Sequence, residues 1–336
     1  MNTEDLKFPI PRHYTWDKTD SSKLKEFMNC PRKYFYRYIL GWNPKGKNIH
    51  LEFGSAWHIA MEHLKLHGFE NAEVQIAYEK FLDYYRNSFD AITDRDNAPK
   101  NPGHAEIALK EYAAIQKRRP QGELLATEIS ATVAISERHS ISGRIDSIRR
   151  MRDIGIIGDD YKTGMRYSTV WYSQWKLNIQ MHIYNHMLAS AFFGEKVYGM
   201  IVDGVILYKN KQKDMTTLNR FVEVPVRIQD ELMSSWLFDI NYWMDTLEWN
   251  MKQLSLSSDS DKVLEAFPKN TESCTMFNKM CPYHTRCTAY SNPLQRCDVP
   301  GDFEQSFWDH EKGEVRTPIK HTLDKEGIKP VILKEE

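Results

Sequence analysis

Hydrophobic residues recur at helical spacing early in the chain and again towards its end. Val74, Tyr78, Phe81, Tyr85 and Phe89 are separated by four, three, four and four residues, the repeat of a helix that buries one face. Further helices are predicted around Leu24 and Phe27 after an N-cap at Ser21 or Ser22, and over Arg32 to Leu40, Phe53 to His67, Ala105 to Arg119, Trp171 to Phe193 and Leu232 to Leu247.

The pattern changes to partial alternation in the middle of the chain, as at Ala131, Val133 and Ile135. Alternation is typical of strands with one buried face. We predict strands over Glu123 to Glu137, Ser140 to Arg150, Ile154 to Lys162, Val197 to Tyr208 and Phe221 to Arg227. Helices, three strands, a helix, two strands and a final helix together indicate an α/β fold, in which a small mixed sheet is flanked by helices.

Composition is that of a soluble globular protein, with 41% hydrophobic and 27% charged residues among 336. No apolar run approaches the roughly 20 residues that span a bilayer, and the N-terminus lacks the basic and apolar segments of a secretory signal. We therefore expect a cytoplasmic protein with no membrane contact. The net charge is −1, and local basic clusters such as Arg32-Lys33 permit DNA binding without predicting it.

Candidate chemistry is concentrated at Asp160-Tyr161-Lys162, near the end of a predicted strand. Side chains alternate along a strand, so Asp160 and Lys162 project from the same face. A carboxylate and an ammonium placed together can serve metal-assisted hydrolysis of a phosphodiester. An ordinary surface ion pair is the alternative interpretation.

Asp146 lies on the preceding predicted strand, and a hairpin would bring it beside Asp160. Two carboxylates directed at one point suit Mg²⁺ or Mn²⁺, which prefer oxygen ligands. Lys162 would then orient the attacking water and stabilise charge at phosphorus. His58 is a possible imidazole ligand from an earlier helix. Glu128 is a further possible carboxylate, although an exposed strand acid is the favoured interpretation of that residue.

Gln180 and Tyr184 are four residues apart on the predicted helix after the lysine strand, so they share one helical face. They either hydrogen-bond a phosphate of DNA or form a polar edge of a packed helix. With Arg32 they are our candidate DNA-binding residues.

The five cysteines are an odd number in a chain without an export signal, which argues against a disulfide framework. Cys30 stands alone near the N-terminus, and the other four occur close together near the C-terminus, at Cys274, Cys281, Cys287 and Cys297.

Five segments, taken in order, resemble the RecB-like branch of the PD-(D/E)XK nuclease superfamily, which includes CRISPR-associated and phage-encoded members. They are Ser22 through Tyr34, Phe53 through His58, Gly143 through Asp146, Asp160 through Gly164 and Gln180 through Tyr184. The resemblance covers roughly residues 21–290, and the ordered set is specific although each motif alone is weak. It implies a restriction-endonuclease-like core.

The same resemblance implies roles for individual residues. His58, Asp146 and Asp160 would bind the metal, Lys162 would be catalytic, and the helix of Gln180 and Tyr184 would lie beside the DNA. One departure is Asp159, which is polar where the family usually has an apolar residue, but strand alternation with Lys162 favours Asp160 as the ligand.

Some members of this branch hold a 4Fe–4S cluster with one N-terminal and three C-terminal cysteines. The resemblance therefore implies that Cys30, Cys274, Cys281 and Cys287 hold such a cluster, with Cys274 in a spacing that resembles phage-type members. Structural Zn²⁺, with His284 as a possible ligand, is the alternative cofactor. Cys297 is the natural spare, although it could replace Cys30.

We expect a metal-dependent deoxyribonuclease, an exonuclease acting on DNA ends or single strands in recombination, repair or phage DNA processing. A nuclease for CRISPR spacer acquisition and a non-catalytic DNA-binding protein with the same fold are the alternatives. No nucleotide-binding Walker A pattern is present, so a helicase or recombination partner would be a separate chain.

The expected organisation is one nuclease domain with short flanking segments. An irregular segment over 1–20 precedes the domain at 21–290, and a charged tail follows over 291–336. Within the domain we expect a helical part (21–120), a catalytic core (121–227), and a helix with the cysteine cluster (228–290).

Overall fold

The computed structural model of the chain describes residues 5–213, 215–276 and 279–309, and the backbone of 319–320 and 331–332. From residue 310 onward, the expected charged tail lies largely outside the described residues. The helices are α1 (Ser21–Asn29), α2 (Pro31–Tyr34), α3 (Ile49–His67), α4 (Asn71–Arg86), α5 (Asp94–Asn97), α6 (Pro102–Gln116), α7 (Thr169–Ser173), α8 (Ile179–Ala191), α9 (Asp230–Ser255) and α10 (His284–Ala289). The strands are β1 (Trp42–Pro44), β2 (Glu123–Ala134), β3 (Ser140–Met151), β4 (Gly155–Gly164), β5 (Val197–Ile206), β6 (Arg220–Val226), β7 (Thr275–Met276), β8 (Lys279–Met280), β9 (Phe303–Gln305), β10 (Ile319–Lys320) and β11 (Val331–Ile332).

Five strands form the central sheet in the order β2-β3-β4-β5-β6. β4 is antiparallel to β3 and parallel to β5, and β6 is antiparallel to β5. The chain between the two parallel strands contains α7 and α8, as a crossover connection requires. The predicted α/β fold, with a small mixed sheet flanked by helices, is confirmed.

The predicted helix over Trp171 to Phe193 is wrong in one respect, because it is two helices. α7 ends at Ser173, and α8 begins at Ile179 after Asn178. The Asn178 side chain accepts hydrogen bonds from the backbone N–H groups of Gln180 and Met181. Asparagine stabilises a helix start better than a helix interior for this reason, and the hydrophobic pattern does not register the interruption.

The start of α3 also differs from the predicted boundary. The helix begins at Ile49 after Asn48, whose side chain accepts a hydrogen bond from His50 N–H. Phe53, the predicted first residue, therefore lies inside the helix. α1 is likewise capped by Asp20, which accepts from Lys23 N–H, rather than by a serine.

The chain divides into two compact units. The first contains Met1–Gly46, Thr132–Gly143 and Asp230–Glu314, and the second contains Lys47–Ala131, Arg144–Gln229 and Val315–Glu336. The core of the second unit joins α3, α4 and α6 to Tyr161 and Val205 of the sheet and to Leu207, which follows β5. Burial of this apolar surface fixes α3 against β4.

Aromatic rings form much of the core of the first unit. Phe267 packs within 6.3 Å of Phe27 and stacks on Tyr34 at 5.9 Å between ring centroids. Tyr36 stacks on both Trp42 and Tyr283, at 5.4 and 5.2 Å. These contacts hold the N-terminal helices against the segment that carries the C-terminal cysteines. In neither unit does the described chain contain a helix of the length and apolarity needed to cross a membrane.

Candidate active site

Asp146 and Asp160 lie on neighbouring strands of the sheet. In the antiparallel pairing of β3 with β4, Ser147 is opposite Asp159. Asp146 precedes Ser147 and Asp160 follows Asp159, so the same register brings the two carboxylates together. Asp146 Oδ2 also accepts a hydrogen bond from Tyr161 N–H at 2.6 Å. The hairpin that the sequence suggested is therefore present, and it fixes the Asp146 side chain to the backbone of β4.

Lys162 shares a face of β4 with Asp160. Its Nζ lies 2.9 Å from Oδ1 and 2.7 Å from Oδ2 of Asp160. Asp160 is buried, whereas the Lys162 side chain is 24% exposed. The ammonium is thus held by a buried carboxylate and remains open to a substrate on its other side.

Asp159 faces the opposite side of the strand, as alternation requires. Arg149 donates to both of its carboxylate oxygens, at 2.9 and 3.1 Å, and Ser147 Oγ donates at 3.1 Å. A bidentate arginine pair satisfies this carboxylate fully. The structure therefore places Asp160, and not Asp159, beside Lys162 and Asp146.

His58 reaches the same point from α3. Its Nε2 is 2.9 Å from the carbonyl oxygen of Tyr161, and its Nδ1 is 3.3 Å from Asp146 Oδ1. A carbonyl oxygen only accepts, so Nε2 carries the proton of the neutral ring. Nδ1 then presents a lone pair towards a carboxylate oxygen, an arrangement that calls for a proton or a metal ion between them.

Glu128 joins the group, which contradicts the expectation of an exposed strand acid. It is 7% exposed, and its carboxylate, the His58 ring and the Asp146 carboxylate each offer an atom within 4.8 Å of the others. Its φ of 49° is unusual for a residue other than glycine. The backbone distortion interrupts the alternation of β2, so the hydrophobic pattern gave no signal that Glu128 faces the site.

Burial and mutual repulsion raise the pKa values of two of the carboxyl groups. Burial, reinforced by the charge of Asp146, raises the pKa of Glu128 to about 7 against the opposing effect of Arg144. Burial also raises the pKa of Asp160 to about 6, although the Lys162 ammonium opposes it. Burial is the larger cause of both shifts, so the charged forms of these two carboxylates are disfavoured until a cation compensates for the lost hydration.

His58 and Asp146 have the opposite balance. Burial acts against the charged form of both groups, but their mutual attraction outweighs it. The pKa of His58 is therefore raised and that of Asp146 is lowered. Asp146 is the carboxylate of this site that is ionised most readily.

The donor set fits a hard divalent cation. His58, Glu128 and Asp146 each offer a ligand atom within 4.8 Å of the others, and Asp160 lies next to Asp146 on the neighbouring strand. Carboxylates are the ligand chemistry of Mg²⁺ and, with an imidazole, of Mn²⁺. Asp160 Oδ2 is buried and accepts no well-aligned hydrogen bond from the described residues, although the Lys162 ammonium is within ion-pair distance. That oxygen has a free lone pair for a cation.

Gln180 and Tyr184 lie on α8, which packs on β4 and β5. Gln180 Nε2 donates to Tyr184 Oη at 2.8 Å. Burial and then the charges of Asp160 and Asp146 raise the pKa of Tyr184 well above its usual value, which places its ring close to the carboxylates. Gln180 is half-buried and remains accessible at the same edge.

Four of the five cysteines lie together in the first unit. Cys274 O accepts from Cys281 N–H at 2.7 Å, and Cys30 Sγ accepts from Asn270 N–H at 3.5 Å. Burial raises the pKa of Cys281, and the nearby Cys30 and Cys274 thiols act on it in the same direction.

Cys287 belongs to the same group, and Cys297 does not. Burial raises the pKa of Cys287 to about 11, and charge at Cys30 and Cys281 adds to that effect. Cys297 instead donates to the carbonyl groups of Pro293 and Leu294, and the charges that act on its pKa are those of Asp298 and Asp259. Thiols with raised pKa values are poor nucleophiles, so neither Cys281 nor Cys287 has the character of a reactive cysteine.

Arg32 occupies an internal position. It is 2% exposed, and its Nε and Nη2 donate to the carbonyl oxygens of Phe267 and Leu264 at 2.9 and 3.1 Å. The structure thus places this guanidinium against the chain's own backbone and not on the surface where a DNA contact was expected.

Comparison with known proteins gives one informative result. The sequence model of the PD-(D/E)XK nuclease superfamily matches residues 21–288, well over half of the chain. No curated protein matches. A solved structure titled "Crystal structure of SSO0001" is similar over 70% of this chain and 78% of that one, at 15% identity and a TM-score of 0.30, a likeness too low to support an argument.

Proposed function

Because this chain belongs to the PD-(D/E)XK nuclease superfamily, we propose that it is an exonuclease that degrades DNA from ends or as single strands. Superfamily membership implies a metal-dependent nuclease with DNA as its substrate. The observation that carries the proposal is the Asp160–Lys162 ion pair beside Asp146 and His58. These groups combine a cation site with a partly exposed lysine side chain, which is what phosphodiester hydrolysis requires.

Asp146, Asp160 and His58 would hold the metal, and Glu128 would complete the set. When bound, Mg²⁺ or Mn²⁺ polarises the phosphodiester and makes a water molecule more acidic. The His58 nitrogen available for this purpose is Nδ1, since Nε2 donates to the Tyr161 carbonyl in the neutral ring.

Lys162 would act on the substrate directly. Its Nζ is oriented by Asp160 and can donate hydrogen bonds to the attacking water and to a phosphoryl oxygen that gains charge in the transition state. An ammonium fixed in this way needs little reorganisation during the reaction, which is the source of its catalytic effect.

Gln180 and Tyr184 would position the DNA strand. Both lie on α8 at the edge of the site. One N–H of the Gln180 amide donates to Tyr184 Oη, and the other N–H can donate to a phosphate oxygen. Exonuclease action, a place in the RecB-like branch and a phage-type role in recombination or repair are proposed from the ordered motifs. A helicase or recombination partner would be supplied by a separate chain.

Substitution of Lys162 by Met and of Asp146 by Asn tests the catalytic assignment. We expect each variant to lose Mg²⁺- or Mn²⁺-dependent degradation of end-labelled DNA and to retain its fold by circular dichroism. Lys110→Met and Asp153→Asn are matched controls, because Lys110 is exposed on α6 and Asp153 is exposed in the β3–β4 turn. Undiminished cleavage in both site variants would refute the assignment.

Linear and circular substrates separate exonuclease from endonuclease action. The proposal predicts that linear single or double strands are degraded and that covalently closed circles are not. Cleavage of circles at the same rate would overturn the exonuclease assignment and leave the nuclease intact. DNA binding without cleavage under any divalent metal would instead indicate a non-catalytic DNA-binding protein.

Cys30, Cys274, Cys281 and Cys287 are proposed to hold a 4Fe–4S cluster. The ordered motifs resemble a branch in which some members hold such a cluster with one N-terminal and three C-terminal cysteines, and this resemblance favours the cluster over zinc.

Anaerobic purification tests this assignment. We expect a brown protein that absorbs at about 400 nm, as iron–sulfur proteins do, with iron and sulfide in equal amounts. The Cys281→Ser variant should lose the colour and Cys297→Ser should retain it, because Cys297 lies outside the group. Stoichiometric zinc without iron would contradict the cluster.

A further inference from the structure

Arg32 and Tyr36 are buried polar side chains with unused hydrogen-bond donors. They are 2% and 1% exposed. Among the described residues, neither Arg32 Nη1 nor Tyr36 Oη has a partner in good hydrogen-bond geometry. The looser side-chain hydrogen bonds that act on their pKa values join Arg32 to Tyr36 and Tyr36 to Cys287. Buried donors that lack a well-aligned acceptor are costly, so the arrangement indicates an acceptor stronger than the neutral Cys287 thiol.

The cysteine group lies where that acceptor would be. Burial raises the pKa of Tyr36, and charge at Cys287 raises it further, so the phenol keeps its proton and remains a donor. For Arg32, burial is opposed by charge at Tyr36 and Cys287. Cys30 acts on the guanidinium as well. Both unused donors are therefore neighbours of the proposed cluster ligands.

The backbone fixes the direction of the guanidinium. Nε and Nη2 are held by the carbonyl groups of Phe267 and Leu264, and the Arg32 N–H donates to Pro268 O at 3.1 Å. With the planar fork anchored at two corners, Nη1 has one orientation. A neutral thiol is a weak acceptor, whereas a thiolate or a cluster sulfide carries negative charge and accepts strongly.

We propose that Arg32 and Tyr36 are positioning residues that donate hydrogen bonds to the Cys287 sulfur and adjacent sulfide of the cluster and thereby raise its reduction potential. The inference rests on the proposed cluster. Hydrogen bonds and positive charge near the sulfurs stabilise the more negative, reduced state of the cluster and raise its potential. Burial and nearby negative charge stabilise the oxidised state and lower the potential. Arg32 and Lys269 are the cations with the largest effect on the Cys287 pKa, and of the two Arg32 is buried and Lys269 is exposed.

Redox titration of the brown protein tests the assignment. We expect a more negative midpoint potential in Arg32→Met and a smaller shift of the same sign in Tyr36→Phe, which removes one oxygen and leaves the ring stacks in place. Arg37→Met and Tyr38→Phe are matched controls on the adjacent turn. Their side chains engage Glu26 and neighbouring rings, and their potentials should equal that of the wild type.

The possible outcomes separate this inference from the cluster proposal. Wild-type protein without iron and sulfide would overturn the cluster and the assignment together. A brown wild type with unchanged potentials in both Arg32→Met and Tyr36→Phe would overturn the assignment alone. If Arg32→Met does not fold, Tyr36→Phe and Arg32→Lys decide. Lysine supplies a point charge without the guanidinium fork, so the potential of Arg32→Lys should lie below that of the wild type.

Discussion

Asp159 and Asp160 are neighbours in sequence with different surroundings in the fold. The carboxylate of Asp159 is neutralised by the Arg149 fork, whereas Asp160 has one ammonium and an oxygen without an aligned donor. The first arrangement is a completed structural pair, and the second retains capacity to bind a cation. Strand alternation alone separates the two side chains.

Glu128 should contribute to metal binding at the residue scale. Glu128→Gln removes a charge that burial and Asp146 make costly in the metal-free site. We expect metal affinity to fall by about 10- to 100-fold, as for other groups that complete a metal site, and activity to recover partly at high Mn²⁺. Metal titration of activity measures this.

The matched control is Glu123→Gln, on the same strand but paired with Arg150 at the surface. Equal metal requirements in Glu128→Gln and the wild type would show that Glu128 is not a ligand.

Lys100 gives a prediction on stability and pH. It is buried, and its Nζ donates to Thr163 Oγ1 at 2.9 Å. Burial lowers its pKa from 10.5 to about 8, so below pH 8 the folded state carries a charge that it disfavours. The penalty is full there, fades as the pH rises towards 10.5, and disappears once both states are neutral.

Replacing Lys100 with Met should therefore stabilise the protein at pH 7. The charge penalty that the substitution removes corresponds to about 3 kcal/mol, and the lost Thr163 hydrogen bond costs about 1 kcal/mol. The free energy of unfolding should therefore rise by the difference. Urea unfolding at pH 7 and pH 10 should show a gain that shrinks with pH. Lys110→Met, at an exposed lysine, is the control. A gain in stability that grows with pH, or an equal gain in Lys110→Met, would contradict the explanation.

At the scale of elements, the position of α8 depends on a single cap. Asn178 accepts two backbone hydrogen bonds at the start of the helix, and α8 then presents Gln180 and Tyr184 at the site. A strong apolar pattern on both sides of this break led to the prediction of one long helix. Apolar periodicity reports which face is buried and does not report where a side chain competes for backbone donors.

Asn178→Ala should destabilise the protein by about 1 kcal/mol, the usual cost of losing such a cap. Asn178→Asp, which retains the accepting oxygen, should lose little. Urea unfolding curves of the three proteins measure the difference. Identical midpoints for Asn178→Ala and the wild type would mean that the cap does not stabilise α8.

At the scale of the whole molecule, the cysteines join distant parts of the chain. Cys30 follows α1, and the other three proposed ligands come after α9, all within the first unit. A group that cross-links residues so far apart in sequence restricts the unfolded chain more than a local link would, and ligand binding of this kind contributes to folding stability.

Removal of the proposed cluster should loosen the first unit selectively. After oxidative loss of the cluster, hydrogen exchange should accelerate in peptides covering residues 31–38 and 264–290, which carry Arg32, Tyr36 and the C-terminal ligands. Peptides from β4 and β5 in the second unit are the internal reference. Unchanged exchange in the first unit, or equal acceleration in the reference strands, would contradict this role.

Local spacing in the sequence determined the order of elements, the shared face of Asp160 and Lys162 and the separation of Cys30 from the other cysteines. Period-two and period-3.6 patterns arise from backbone geometry that every residue carries with it, so they can be read without the fold. The family resemblance rested on these same local motifs, and the superfamily is the part of it that the comparison confirms.

Only the tertiary structure decided which distant groups meet. Glu128 enters the site through a positive φ that breaks the alternation of its strand. Arg32 turns inward because two carbonyl groups from near the other end of the chain accept its hydrogen bonds. Both outcomes depend on packing between segments hundreds of residues apart or on a local distortion that packing sustains. A one-dimensional pattern contains neither, because burial and partners are properties of the folded chain.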